Sequence, residues 1–190
     1  MPDDHEQSVV RRRKLTALRE RGINPYPNDF RPDLTNGEVH ARFGELDEAG
    51  LSAAPAVSVA GRVVGMRDFG KAGFLHLQDR AGRVQIHVRR DRVTDEVFER
   101  YRGLDLGDVV GVTGQPFRTR TGELTLAASD LSLLTKALHP LPEKFHGLQD
   151  VEMRYRQRYV DLIVNPEVRR IFEMRSRIVA RLRAFLTARD

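Results

Sequence analysis

Apolar positions along the chain recur at two spacings. Residues 6–21 read as a helix, with Val9, Val10, Leu15 and Leu18 apolar. Gly22 closes it, and Pro25 and Pro27 block its continuation. A short helix is expected after Thr35, a suitable N-cap, and the Ala/Pro-rich run 51–56 reads as a boundary. From Val57 the spacing drops to two. Val57, Val59, Gly61 and Val63 alternate with Ser58, Ala60 and Arg62, as in a half-buried strand. Residues 74–78 and 83–88 are two further strands, joined by the tight turn Asp79-Arg80-Ala81-Gly82. Val97, Phe98 and Tyr101 return to helical spacing within 94–102, and 108–117 with 123–134 form a hairpin across 118–122. Segments 151–163 and 166–190 read as helices. Pro166 suits the first turn of the second, and Val168, Ile171, Phe172, Ile178, Val179, Leu182, Phe185 and Leu186 form its apolar stripe.

Three strands, a helix and two strands is the order of an OB-fold, a five-stranded Greek-key barrel. The fold class is therefore mainly β with flanking α: this barrel, an N-terminal helix and C-terminal helices. The runner-up is an SH3-like barrel, which does not normally need a helix at that point. The chain divides into a helical extension (1–55), the barrel (56–135), a Pro-containing linker (136–150) and a C-terminal helical segment (151–190).

The two central strands carry the candidate chemistry. Leu75, Leu77, Val84, Ile86 and Val88 form one purely aliphatic face, the barrel interior. Phe74, His76, Gln78, Arg83, Gln85 and His87 form the other. A nucleobase is a natural partner for an aromatic ring set among polar groups, because stacking is worth about 1–3 kcal/mol per base. The Gln85 amide can read a base edge as donor and acceptor together. Arg67 and Lys71 near the first hairpin loop, and Arg118 and Arg120 near the last, suit phosphates. A bulge would instead turn Phe74 into the core, and alternation alone leaves both arrangements open. The histidines read more readily as surface residues than as ligands, and the two loop arginines as a solvated loop on composition alone.

Charge sharpens this only slightly. Residues 151–190 hold 10 Arg and Lys against 5 Asp and Glu, or +5; residues 1–150 hold 22 against 22. A polyanion partner is compatible with this but not required. The basic cluster Arg11–Lys14 reads either as a grip on a nucleic-acid backbone or as a solvated helix face. No cysteine is present, so disulfides and thiolate-bound zinc are excluded. The first residues lack the apolar core of a secretory signal, no run is long enough for a membrane helix, and a cytoplasmic location is expected. Gly65 to Ala72 nearly spells a phosphate-binding P-loop, but Ala72 stands where Ser or Thr is needed, and a strand follows instead of a helix. No catalytic motif and no metal spacing is found.

The motifs then resemble a known family. Gly61-Arg62-Val63, Met66-Arg67, Gly70-Lys71-Ala72, Phe74, Leu77-Gln78-Asp79, Gly82-Arg83, Gln85 and Thr119 to Leu124 look like the OB-fold of lysyl-tRNA synthetases. The most specific stretch runs from Leu133 through Leu148 and on through Arg154 to Leu162. The resemblance covers about residues 9–190. It implies a class II, homodimeric ligase that joins lysine to tRNA(Lys) through a lysyl-adenylate, using ATP and Mg2+, with the OB-fold holding a uridine-rich anticodon. By position it implies that Phe74 stacks on the middle anticodon base, that Gln85 and Arg67 contact that base, and that Glu123 reads a neighbour. His87 stands where relatives often carry an aromatic. With the outward His76, these residues are the candidate anticodon set, and Lys71, Arg118 and Arg120 the candidate phosphate contacts. The helix at 166–190 resembles the start of the first class II motif, which builds the dimer interface. The second and third motifs and the lysine pocket are not among these residues. The expectation is therefore a fragment that binds tRNA without aminoacylating it and needs no cofactor of its own. The alternative is a non-catalytic single-stranded nucleic-acid-binding or dimerising OB-fold module.

Overall fold

The computed structural model describes residues 4–142, 148 and 150–189. They form two compact units, divided between Pro140 and Leu141. The expected linker 136–150 falls partly, at 143–147 and 149, outside the described residues.

In the first unit, five strands close into a barrel in the order β1-β2-β3-β5-β4. They are β1 (Val57–Asp68), β2 (Ala72–Gln78), β3 (Arg83–Arg89), β4 (Val109–Arg118) and β5 (Leu124–Thr135). All pairings are antiparallel except β3 with β5. This is the OB arrangement that the element order predicts. Period-two alternation fills the interior: Val59, Val63, Leu75, Leu77, Ile86, Val88, Val110, Val112, Leu126 and Leu131 have no exposed surface. The helix α4 (Asp95–Arg102) lies between β3 and β4 and adds Val97, Phe98 and Tyr101 to the same core. Thr94 caps its start by accepting from Val97 N.

Three helices precede the barrel: α1 (Asp4–Glu20), α2 (Asn36–Phe43) and α3 (Glu48–Ala53). Thr35 caps α2 in a reciprocal box with Glu38. The sequence reading has no counterpart for α3, which Asp47 caps within the region taken as a boundary. Its six residues are too few to show a helical period. Asn36 at the start of α2 fastens this helix to the β2–β3 turn. Its backbone N–H reaches Asp79 Oδ2 at 2.8 Å, and its Nδ2 donates to Leu77 O at 3.0 Å.

The basic helix face has structural work at two positions. The Arg11 side chain is buried and donates to Leu106 O at 2.9 Å and His139 O at 3.1 Å. Lys14 Nζ lies 2.7 Å from Asp105 Oδ1. Only Arg12 and Arg13 of the cluster are exposed.

In the second unit, the helix expected over 151–163 is two helices, α5 (Val151–Arg156) and α6 (Arg158–Val164). Gln157 leaves helical geometry at φ −114°, ψ 54°. The break lets Arg154, Arg158 and Asn165 converge on Asp161, whose side chain is fully buried. The last helix, α7 (Pro166–Thr187), starts at its proline. Its stripe is open: Ile171, Ile178, Leu182, Phe185 and Leu186 are each more than half exposed.

Candidate nucleic-acid interface

Strand register assembles the site. Cross-strand partners share a face, so Arg67, Phe74 and His87 form one outward row across β1, β2 and β3. The parallel pairing extends this row to Ala127. The next outward row is Gly65, His76, Gln85 and Thr125, with Phe117 beyond on β4. Val64 is bulged out of register, which sets Gly65 opposite His76. Gln78 and Arg83 continue the face and pair with each other, Arg83 Nε donating to Gln78 Oε1 at 2.7 Å.

Phe74 therefore points outward, and register decides between the two arrangements that alternation left open. Its ring stacks on the His87 imidazole with centroids 4.4 Å apart and planes within 11°. Phe69, 66% exposed in the first hairpin loop, meets Phe74 edge-on at 6.2 Å. Phe117 approaches His87 at 5.8 Å. Four rings thus line one face, although sequence reading identified only Phe74 and His87 there. Burial first, then the charges of Arg89 and Arg92, lower the His87 pKa from its ordinary value, while Asp91 opposes them. The ring is accordingly neutral at pH 7, which suits a flat stacking surface.

Gln85 is on the predicted face but recessed, only 8% exposed. Its Nε2 donates to Thr125 Oγ1 at 2.9 Å, and Thr125 donates to Glu123 O at 3.2 Å. His76 Nε2 lies 3.8 Å from Glu123 Oε1. Three predicted residues, His76, Gln85 and Glu123, are thereby brought together around Thr125, which sequence reading missed.

The cationic residues divide. Arg67, Lys71 and Arg120 are exposed at the two loops. Arg118 is engaged within the fold: Nη1 donates to Gly122 O at 3.0 Å and Nη2 donates to Gly44 O, at the end of α2. Its guanidinium shapes the last hairpin. Beside the rings, a hollow of about 580 Å³ is lined by His87, Arg89, Arg92, Gln115, Phe117 and Ala127, among others. Among the described residues, no group of three or more His, Cys, Asp and Glu could hold a metal ion. No described helix is long and apolar enough to cross a membrane.

A closed five-stranded barrel with an outward aromatic stack between two basic loops defines an OB-fold nucleic-acid-binding domain, and residues 57–134 match the family described by that name. Along nearly its whole length the chain is also similar to lysine–tRNA ligases. It is 51% identical over 189 residues to the lysine–tRNA ligase of Magnetococcus marinus, covering 98% of this chain and 38% of that protein. It is 52% identical over 189 residues to the Salmonella arizonae enzyme and 50% identical over 190 residues to the Enterobacter enzyme. The chain spans 37% of the length of each of these two.

Proposed function

We propose that this chain reads the anticodon of a lysine tRNA through the outer face of its barrel, as part of a lysine–tRNA ligase. The observation that carries the reading is the stack of Phe74 on His87 on the outer face of strands β2 and β3. A base adds to it through the sequence-tolerant attraction of π faces. Arg67 and Gln85 then meet the edge of that base. Glu123, held beside His76, meets its neighbour. Lys71 and Arg120 take phosphates, and Arg118 holds the loop that presents Arg120.

Phe74→Ala is expected to weaken binding of a lysine anticodon stem-loop by about 1–3 kcal/mol, while the thermal transition stays in place. Fluorescence titration at fixed salt checks this, and an unchanged affinity removes the stacking role. Phosphate contacts by Lys71 and Arg120 also make binding fall with salt.

Attachment of lysine through an adenylate, with ATP and Mg2+, is the activity proposed for the whole ligase, in the cytoplasm. None of its steps is assigned to a residue of this chain. The open stripe of α7 supports a homodimer in the whole ligase, since an apolar face of that length is ordinarily covered. It equally supports the second reading, a module that associates through α7.

A further inference from the structure

The proton bookkeeping around Thr125 decides which way the Gln85 amide points. Thr125 is fully buried, and its hydroxyl has one proton to give. That proton goes to Glu123 O at 3.2 Å. Towards Gln85, 2.9 Å away, the hydroxyl can then only accept. An amide oxygen at that position would set two acceptors against each other inside the barrel wall, a costly arrangement. With the hydroxyl proton given to Glu123 O, which also accepts from Thr119 N at 3.0 Å, Nε2 faces Thr125 and Oε1 faces away. Among the described residues, nothing donates to Oε1, and it is not a buried unsatisfied atom. After Thr125 has taken one N–H, Gln85 offers a ligand one acceptor and one remaining donor, in a fixed order.

We propose that Thr125 is a positioning residue for base specificity, locking the Gln85 amide so that it accepts from a pyrimidine ring N–H and selects uracil over cytosine. The proposal rests on the anticodon reading above. Gln85 lies in the row next to Phe74, and two residues along a strand span about 6.6 Å. A base stacked on Phe74 therefore brings its edge over Gln85. Uracil presents N3–H beside a carbonyl, which matches an acceptor followed by a donor. Cytosine presents a bare N3 beside an amino group, the reverse order. A freely turning amide could serve either base by flipping. Held by Thr125, it opposes cytosine N3 with its own oxygen. Thr125 never touches the base and acts only through Gln85. The parallel β3–β5 pairing sets Thr125 opposite Gln85, so barrel closure itself supplies the lock.

The test compares two anticodon stem-loops that differ only in a middle uridine or cytidine, titrated against the chain and its Thr125→Val and Thr125→Ser variants. Valine keeps the shape and loses the hydroxyl, so the uridine-over-cytidine ratio is expected to fall about tenfold, mainly through better binding of cytidine. Serine keeps the hydroxyl and is expected to hold the ratio within about twofold. If valine weakens both loops by the same factor, or leaves the ratio unchanged, Thr125 only supports the barrel and the inference is overturned. If the unmodified chain does not prefer uridine, the anticodon reading itself fails, and the inference falls with it. Should the valine variant not fold, NMR of the 15N-labelled unmodified chain decides. One Gln85 side-chain N–H protected from exchange with water is expected, and two freely exchanging protons overturn the lock.

Discussion

Lys136→Met is expected to lower the stability of the barrel unit by about 3–5 kcal/mol. The Lys136 side chain is only 2% exposed, and its ammonium lies between the carboxylates of Asp105 and Asp108. Asp108 is fully buried and also accepts from the backbone N–H of Asp105 and of Ala137, each at 2.8 Å. Methionine fills similar space but leaves Asp105 paired with Lys14 alone and takes from Asp108 the ammonium it faces. An uncompensated buried charge costs far more than the intact cluster contributes. Denaturant unfolding measures the loss, and a change below about 1 kcal/mol would contradict the assignment. Adding Asp108→Asn is expected to restore part of it. Acidity gives a second check. Burial alone would raise the Asp105 pKa, but hydrogen bonds and charge from Lys136 and Lys14 outweigh it and bring the net value below the ordinary 3.8. A carboxyl depressed in this way contributes stability that is fully present above its unfolded value. That stability is lost as pH falls through the lower folded value. The penalty for Lys136→Met is therefore expected to be full at pH 7 and to shrink below about pH 4.

Gly73→Ala is expected to cost about 3 kcal/mol or more. A Cβ there would stand 1.8 Å from Tyr101 Oη, 2.7 Å from Tyr101 Cζ and 2.7 Å from Arg67 O. Tyr101 has no room to retreat: it is fully buried, and its hydroxyl donates to Arg67 O at 3.3 Å. Burial, with the nearby Asp68 charge, pushes that phenol up to about 12 against a smaller effect of Arg102, so it remains a donor across the working range. The contact props the β1 backbone beneath Arg67 and beside Phe74, so the variant is expected to lose stem-loop affinity with stability. Tyr101→Phe in the same chain removes the closest atom but leaves Cζ and the Arg67 carbonyl, and should recover only part of the loss. Thermal unfolding checks both variants, and a transition unchanged in the single variant would mean that α4 packs differently beneath the platform.

Much of this was legible in the sequence because it is local. Alternation separated Leu75, Leu77, Val84 and Ile86 from Phe74, His76, Gln85 and His87, and strand order pointed to the barrel. What was not legible depends on contacts distant in sequence. Thr125 reads as one more polar residue of β5 until barrel closure sets it beside Gln85, and the same closure explains why Gln85 is recessed. Phe117 joins the rings only because β4 pairs with β5 next to it. The carbonyls that occupy Arg11 lie 95 and 128 residues away, so its charge looked as free as that of Arg12. Arg118 likewise owes its role to Gly44, 74 residues earlier. The break at Gln157 has no Gly or Pro to mark it and is held by the cluster on Asp161.

The decisive measurement is a titration of this chain at fixed salt with a lysine anticodon stem-loop and with the same loop carrying a purine at its middle position. An anticodon reader binds the first more tightly, by about tenfold or more. Equal affinity for the two loops, or none for either, would contradict the assignment of the Phe74–His87 face as the anticodon site.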